Sequence, residues 1–487
     1  HPVFRSRGGP LRLRMVAATG DPPLTPIGEA EALTAAAGPD PRARTSLAFL
    51  SYREKLLAGS WRFLTYFGRD TLMSVRLLLP VLKPEEAEAG LGAVLTRLSP
   101  TGEVAHEESI GEFAVMENLK AGRGPVDTPV YDYKMIDGDY MLAPVLQAYA
   151  ERYGAARLRA FLQRRAPDGT RYADLLARNL RHVVETARPF AARPAADTLI
   201  HLKPGVPVGE WRDSDTGLAG GRIPYDVNAV FVPAALDATA ALAADGGLGA
   251  DAPQAAEAAR LAQAWRARAP AFFRAQVAPD VARAAVAAFA REQEVDAAGA
   301  LASLPAGPLR FEALSLDASG RPIPVLNSDV GFDLLFGHPA PETLARMVAD
   351  VMRPFPAGLM TDVGPVVADA AYAPAGVRRA FGRTAYHGAV MWAWQEAVLI
   401  AGLDRQLARD DLPAPLRAQL AAARARLFRA VQAVGETRTS ELWSWAYAGG
   451  RYRVQAFGAA AGDADESNAA QLWSTVFLAL DPGRPAG

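Results

Sequence analysis

The sequence contains no cysteine, and histidine is scarce. The absence of cysteine excludes disulfides, thiolate metal sites and a cysteine nucleophile. The six histidines stand apart, at positions 1, 106, 182, 201, 338 and 387. Neither an HExxH motif nor another clustered zinc pattern is present. We therefore expect no metal and no other cofactor.

A surplus of one charge is also lacking. The formal net charge is −1, and basic residues are dispersed along the chain. A nucleic-acid phosphate backbone requires a concentrated positive stripe, so we expect no nucleic-acid partner. No stretch approaches the run of about 18 apolar residues that a membrane span requires, so none is expected. Compartment and oligomeric state stay open, since a cysteine-free chain suits exported and reducing environments alike.

The composition is that of a globular protein. Half of the 487 residues are hydrophobic and 22% are charged, which argues against disorder. The chain opens His1-Pro2-Val3 without an initiator methionine or an apolar signal core. We therefore expect a truncated N-terminus, from which any targeting peptide would already have been removed. The segment 1–40, rich in proline, glycine and threonine, is predicted to be an irregular lead-in to one catalytic domain over 41–487.

Helical periodicity dominates the chain. Leu416, Leu420, Ala423, Leu427 and Val431 recur at steps of three and four, with Gly435 as a stop. Similar patterns predict a helix from Asp70 to about residue 82 and others at 42–58, 138–153, 171–186, 226–242, 252–275, 341–352, 386–402 and 468–480. Strands are expected only near 199–208 and 321–327. Ten to thirteen helices with long loops favour an all-α toroid of helix pairs over a compact bundle.

Acidic and aromatic residues gather between the helices, where a rigid scaffold would present a binding site. In Tyr66-Phe67-Gly68-Arg69-Asp70-Thr71, an arginine and a carboxylate could together hold a vicinal diol, or Asp70 could cap the helix. Glu108, Asp137, Asp139 and Tyr140 belong to segments that interleave carboxylates with tyrosines, a composition typical of sugar sites. Helix capping is the alternative for the aspartates.

Two further segments carry the candidate catalytic acids. Gly209-Glu210-Trp211-Arg212-Asp213-Ser214 places acids beside a tryptophan, which argues against a merely solvated loop. Ser440-Glu441-Leu442-Trp443 places a carboxylate beside tryptophans, where desolvation disfavours its charge. Tyr386 and His387 stand at a loop–helix junction. Glycosidic hydrolysis requires two carboxyl groups, and a closed ring of helices could bring distant Asp213 and Glu441 to one mouth.

In their order along the chain, these segments resemble the amylo-α-1,6-glucosidase domain of glycogen debranching enzymes. More distantly they are similar to glucoamylase, trehalase and the processing α-glucosidases. The matching segments are Phe67-Gly68-Arg69-Asp70-Thr71, Tyr133 to Asp137, Trp211-Arg212-Asp213, Asp226-Val227-Asn228-Ala229, Tyr386-His387-Gly388 with Trp392-Ala393-Trp394, Ser440-Glu441-Leu442, and Gln471-Leu472-Trp473-Ser474. Arg212 stands where the family has methionine, and Ala393 where it has proline.

The resemblance implies an (α/α)6 barrel and a metal-free inverting α-glucosidase, with Asp213 as general acid and Glu441 as general base. The implied partner is an oligosaccharide or α-glucan. Substrate contacts are expected from Arg69, Asp70, Tyr66, Glu108, Asp137, Asp139, Tyr140, Trp211, Arg212, Tyr386, His387, Trp443, Glu466 and Gln471. Among them, Trp211, Tyr140 and Trp443 are expected to stack on sugar rings, and Asp215 and Glu466 are the substitute acids. A sugar phosphorylase and a non-catalytic carbohydrate-binding member of the same group are the alternatives.

Overall fold

A computed structural model gives the architecture. It describes residues 23–480 except 61–62, 246–247, 249–251 and 460–469, together with scattered positions between 5 and 16. The α-helices are α1 (Glu29–Ala32), α2 (Pro41–Leu50), α3 (Gly68–Leu78), α4 (Pro84–Thr96), α5 (Gly111–Lys120), α6 (Gly138–Tyr153), α7 (Ala155–Leu162), α8 (Tyr172–Ala192), α9 (Val232–Ala244), α10 (Ala255–Phe272), α11 (Pro279–Glu292), α12 (Ala298–Ala302), α13 (Val330–Phe336), α14 (Pro341–Met352), α15 (Ala375–Ala380), α16 (Ala393–Leu407) and α17 (Ala414–Ala433).

Two other helical segments complete the scaffold that positions the site. A π-helix, Asp226–Phe231, runs directly into α9, and a 3-10 helix, Leu472–Ala479, lies near the C-terminus. Shorter 3-10 turns span Ala196–Thr198 and Gly435–Thr439. The predicted helix starting near Asp226 is confirmed.

Six helical segments, with the π-helix and α9 counted as one, contact one another in a closed cycle. Helix α3 packs on α6, α6 on α9, the π-helix before α9 on α13, and α13 on α16. The 3-10 helix Leu472–Ala479 then contacts both α16 and α3, which closes the ring. Helices α2, α4, α10 and α17 pack outside it against ring members. This arrangement, with long loops between helices, is consistent with an (α/α)6 toroid.

The ring accounts for one long, strongly apolar helical segment of the described chain. The segment Asp226–Ala244 is long and apolar enough to cross a membrane by length and composition, and 67% of it is buried inside the fold. A core helix that is hydrophobic on every side is expected where helices surround it. The described part of the N-terminal lead-in joins the same core, since Ile27, Ala32 and Leu33 are buried.

The strands are short and border the helices. They are β1 (Glu107–Ser109), β2 (Val130–Asp132), β3 (Ile223–Pro224), β4 (Arg274–Val277), β5 (Leu309–Glu312), β6 (Ser315–Leu316), β7 (Pro322–Ile323), β8 (Leu326–Asn327), β9 (Met360–Thr361), β10 (Gly364–Pro365), β11 (Ala368–Asp369), β12 (Met391–Trp392), β13 (Leu442–Ala448) and β14 (Arg451–Ala456). All pair antiparallel, in sheets of two or three strands. In the longest ladder Trp443 faces Ala456 and Ala448 faces Arg451.

Several element predictions need correction. The chain has more α-helices and strands than expected, and 199–208 contains no strand. The predicted helix 42–58 ends at Leu50, and the one predicted to begin at residue 386 begins at Ala393. Tyr386 and His387 therefore lie in the loop before β12. Helical periodicity did not mark this boundary because apolar residues continue through Met391 and Trp392, which pair with β13 instead.

Candidate active site

The candidate site forms where the N-terminal ends of ring helices converge. Arg69 and Asp70 lie in the first turn of α3, and Asp137 is the N-cap residue of α6. Asp329 immediately precedes α13, and Asp226 begins the π-helix before α9. Each of these acids is buried at a helix start, where the free amide groups and the helix dipole favour a negative charge. The ring thus concentrates carboxyl groups at one end.

Arg69 ties Asp213 to this ring. Its Nε donates to Asp137 Oδ2 at 2.6 Å, and its Nη1 donates to Asp213 Oδ2 at 3.2 Å. The Arg69 side chain is only 2% exposed, whereas that of Asp213 is 29% exposed. Arg69 therefore holds one side of the Asp213 carboxyl group, while part of that group is exposed to solvent.

The electrostatic surroundings of Asp213 favour its protonated form. Burial raises the pKa of Asp213, and the negative charge of Asp137 raises it further, while Arg69 opposes both. Burial likewise raises the pKa of Asp70 to about 7, with Arg69 opposing and Asp213 adding to the rise. Acids this close cannot all ionise freely near neutral pH.

The second candidate acid, Glu441, lies far from Asp213 in the sequence and is held by residues near position 390. It is 3% exposed and stands directly before β13. The Tyr386 hydroxyl donates to Glu441 Oε2 at 2.8 Å. The Ala393 amide donates to the Glu441 backbone carbonyl at 3.0 Å. Glu441 is thus anchored through both its side chain and its backbone.

His387 connects the two acids. Its Nε2 lies 4.0 Å from Asp213 Oδ1, and its Nδ1 is hydrogen-bonded to Ser214 Oγ at 2.8 Å. Its ring stacks on Trp392 with 5.0 Å between centroids and contacts the Tyr386 ring at 4.9 Å. Burial, followed by Arg212 and Arg69, lowers the pKa of His387 well below its usual range. A neutral imidazole therefore lies between Asp213 and the tyrosine that holds Glu441.

Trp211 and Arg212 form the support beneath Asp213. Arg212 pairs with Asp329 through Nε at 3.1 Å and Nη2 at 2.8 Å, and Trp211 Nε1 donates to Asp329 Oδ1 at 3.1 Å. The guanidinium also covers the indole ring, 4.2 Å from its centroid. Trp211 and Arg212 are each 1% exposed. These contacts fix the loop that carries Asp213.

The burial of three rings corrects the expectation that they stack on sugar. Trp211 is 1%, Tyr140 2% and Trp443 0% exposed. The Tyr140 hydroxyl donates to Thr186 Oγ1, and Trp443 Nε1 donates to the Val363 carbonyl. The sequence could not distinguish a loop tryptophan that meets solvent from one that fills the core beneath a loop.

Other predicted contact residues lie outside the Asp213–Glu441 group. Glu108 pairs with Lys55 and Arg97. Asp139 accepts from the Val104 amide at 2.6 Å and faces His182 at 3.4 Å. Both carboxylates are therefore engaged in contacts that stabilise the fold.

Four further residues were singled out by the sequence. Tyr66 is fully buried under the Arg97 guanidinium. Gln471 is buried at the start of the 3-10 helix and pairs with Gly59. Glu466 lies outside the described residues, and Asp215 is exposed to solvent.

Sequence reasoning missed several acids near the site. Asp329 anchors both Trp211 and Arg212, and its signal was an aspartate directly before a helix. Glu107 is one of them; burial raises its pKa, with a contribution from Asp213. Glu210 and Asp226 are buried, and burial together with neighbouring carboxylates raises the pKa of each well above its usual range. In the described part of the chain, no group of three or more acidic or histidine residues is arranged to hold a metal.

Comparison with known proteins relates the fold to solved crystal structures. No family model and no curated protein matches the sequence. Crystal structures of the GH63 mannosylglycerate hydrolase from Thermus thermophilus do match. Its complex with glucose gives a TM-score of 0.52 at 14% identity, and its complex with Tris gives 0.51 at 13%. Its complex with Tris and D-glycerate gives 0.50 at 14%. Each match covers 90% of this chain and 98% of the other.

At this identity the comparison shows a shared fold. The matched structures are those of a mannosylglycerate hydrolase. The shared, helix-rich fold is consistent with the predicted (α/α)6 toroid. The narrower resemblance to a glycogen-debranching domain stays a prediction.

Proposed function

We propose that the chain is an inverting glycoside hydrolase that acts on α-glucosides in the manner of an amylo-α-1,6-glucosidase. Asp213 is the general acid and Glu441 the general base, at the mouth of an (α/α)6 toroid. One observation carries the proposal: adjacent residues contact both acids. Tyr386 donates to Glu441 at 2.8 Å, and His387 lies 4.0 Å from Asp213.

The acid role suits the environment of Asp213. A general acid must hold its proton until the leaving oxygen takes it, and a raised pKa keeps that proton at higher pH. Burial supplies the rise, while Arg69 limits it. The exposed part of the carboxyl group is available to the glycosidic oxygen.

The base role suits the fixed position of Glu441. A general base that activates water must point one oxygen at that water, and the Tyr386 hydroxyl restricts rotation of the carboxylate. Inversion in one step places water on the face of the sugar opposite the acid, which requires the two carboxyl groups to stand roughly 6.5–9.5 Å apart. The two loops come from distant parts of the chain and meet at Tyr386–His387.

Substrate binding is assigned to the polar residues around this opening. Arg69 and Asp70 would fix hydroxyl groups of the non-reducing sugar, with His387 beside them. The hydrolase that shares the fold has been crystallised with glucose and with D-glycerate, which supports a carbohydrate or related polyol as substrate.

The decisive experiment assays α- and β-linked glucosides and mannosides with NMR detection of the anomer released first. We expect an α-glucoside to yield the β-anomer of the free sugar, without added phosphate. A product that retains the anomeric configuration would refute the one-step mechanism. A requirement for phosphate would identify a phosphorylase, and saturable glucan binding without any product would identify a non-catalytic binding protein.

A further inference from the structure

A cavity lies at the end of the helical ring opposite the candidate active site. Its volume is about 670 Å³, and ring helices α3, α6, α9, α13 and α16 contribute to its lining. Arg76, which lines it, occupies the last turn of α3, whereas Arg69 of the candidate active site occupies the first. The cavity is thus separated from the catalytic residues by most of the length of this helix.

Two arginines that line this cavity form no ion pair with the described residues. Among the residues that the structure describes, no carboxylate oxygen lies within 4.0 Å of the guanidinium nitrogens of Arg76 or Arg405. Arg76 lies over the Phe336 ring, 5.7 Å from its centroid, and Arg405 donates to the Gly337 carbonyl. By contrast, Arg266 of the same cavity is paired with Asp237.

The surroundings of Arg76 disfavour its positive charge. Burial lowers the pKa of Arg76 to about 10, Arg405 lowers it further, and Glu151 opposes them. Nearby Asp333 is a weak counter-ion, since burial and then Glu312 raise its pKa to about 7. Like charges facing a solvent-accessible hollow are stabilised when an anion binds between them.

We infer that this cavity binds a small molecule through a phosphate or carboxylate group, with Arg76 inside the cavity and Arg405 at its exposed rim. Guanidinium groups donate to such oxyanions in paired geometry. The volume exceeds that of a single ion and accommodates a ligand of drug-like size. The site is independent of the proposed glycosidase activity, because none of its residues belongs to the Asp213–Glu441 group.

Helix capping is the competing explanation for the two arginines. Arg76 and Arg405 lie in the last turns of α3 and α16, where a cation also stabilises the helix dipole. That role alone predicts lower stability after substitution but no anion binding. The two explanations therefore differ in a binding measurement.

The test is calorimetric titration of the full chain with inorganic phosphate and, separately, with citrate, at ionic strength held constant with NaCl. We expect saturable binding of at least one of them, weakened about 10-fold or more in Arg76→Met, since a charge-assisted contact is lost. Arg266→Met is the matched control, expected to bind as the unsubstituted chain does. Asp213→Asn should also bind normally, which separates this cavity from the catalytic pocket.

The outcomes distinguish a phosphate ligand from a carboxylate ligand. They also distinguish anion binding from helix capping. The anion that binds identifies the ligand group. No saturable binding of either anion, equal binding by Arg76→Met, or loss of binding in Asp213→Asn would each overturn the inference. If Arg76→Met fails to fold, Arg405→Met at the exposed rim provides the same comparison.

Discussion

Arg69 Nη1 lies 3.2 Å from Asp213 Oδ2, and the same guanidinium donates to Asp137 at 2.6 Å. The arginine therefore divides its charge between a buried carboxylate and a partly exposed one. One nitrogen of the guanidinium group holds Asp213 in place, and other nitrogens of the same group bind Asp137. It also makes the protonation of Asp213 depend on Asp137.

Replacing Asp213 with Asn should lower the rate constant for hydrolysis by at least about 10²-fold, because the proton donor to the leaving oxygen is lost. Steady-state kinetics on the preferred glycoside provide the measurement. Asp215→Asn, two positions along the same loop and exposed, is the matched control and should keep near-normal turnover. Equal rates for Asp213→Asn and the unsubstituted chain would remove Asp213 from the acid role.

The alkaline side of the pH profile should depend on Asp137. A general acid works while protonated, so activity falls as the pH rises through the pKa of Asp213. Burial raises that pKa and Asp137 raises it further, while Arg69 lowers it. Asp137→Asn removes the raising charge and frees Arg69, so the alkaline limb of kcat/KM should move to lower pH.

Arg69→Met should shift the same limb in the opposite direction, to higher pH, because the group that lowers the pKa of Asp213 is removed. Both variants are followed as kcat/KM against pH, alongside the unsubstituted chain. Shifts of the same sign in the two variants would contradict the electrostatic arrangement derived for Asp213.

Tyr386→Phe should reduce kcat by about 10-fold to 100-fold, since a hydrogen bond to a charged group contributes roughly 1.5–3 kcal/mol. The lost donor is the one at 2.8 Å from Glu441 Oε2. Tyr447→Phe, on β13, removes a hydroxyl from the same sheet and serves as the control. A larger effect on KM than on kcat would indicate that Tyr386 binds substrate instead of positioning the base.

Arg212→Met should destabilise the fold by about 3–5 kcal/mol, because it leaves the buried Asp329 carboxylate without its partner. The Arg212 and Asp329 side chains are 0% and 1% exposed. Denaturant unfolding measures the loss, and Arg212→Met combined with Asp329→Asn should recover part of it. Arg193→Met breaks an exposed pair with Asp197 and should change stability by less than about 1 kcal/mol. Equal effects of the two single variants would rule out a buried pair.

Periodicity and helix-start residues predicted much of the scaffold. The helices at 138–153 and 341–352 and the helix beginning at Asp226 follow from apolar spacing and local stop and start signals. Local sequence also singled out Arg69, Asp213, Tyr386, His387 and Glu441, because acids and aromatics in loops are poor candidates for either core or plain surface. What the sequence could not supply was which of these residues meet.

The amino-acid sequence by itself determined a cysteine-free, helix-rich chain whose polar and aromatic residues gather between helices. Tertiary structure alone decided that Tyr386 and His387 stand between Asp213 and Glu441, and that Trp211, Tyr140 and Trp443 face the interior. The physical reason is that helix periodicity is set by neighbours within a few positions. Burial and charge pairing, by contrast, depend on segments more than a hundred residues apart, as when Asp329 pairs with Arg212.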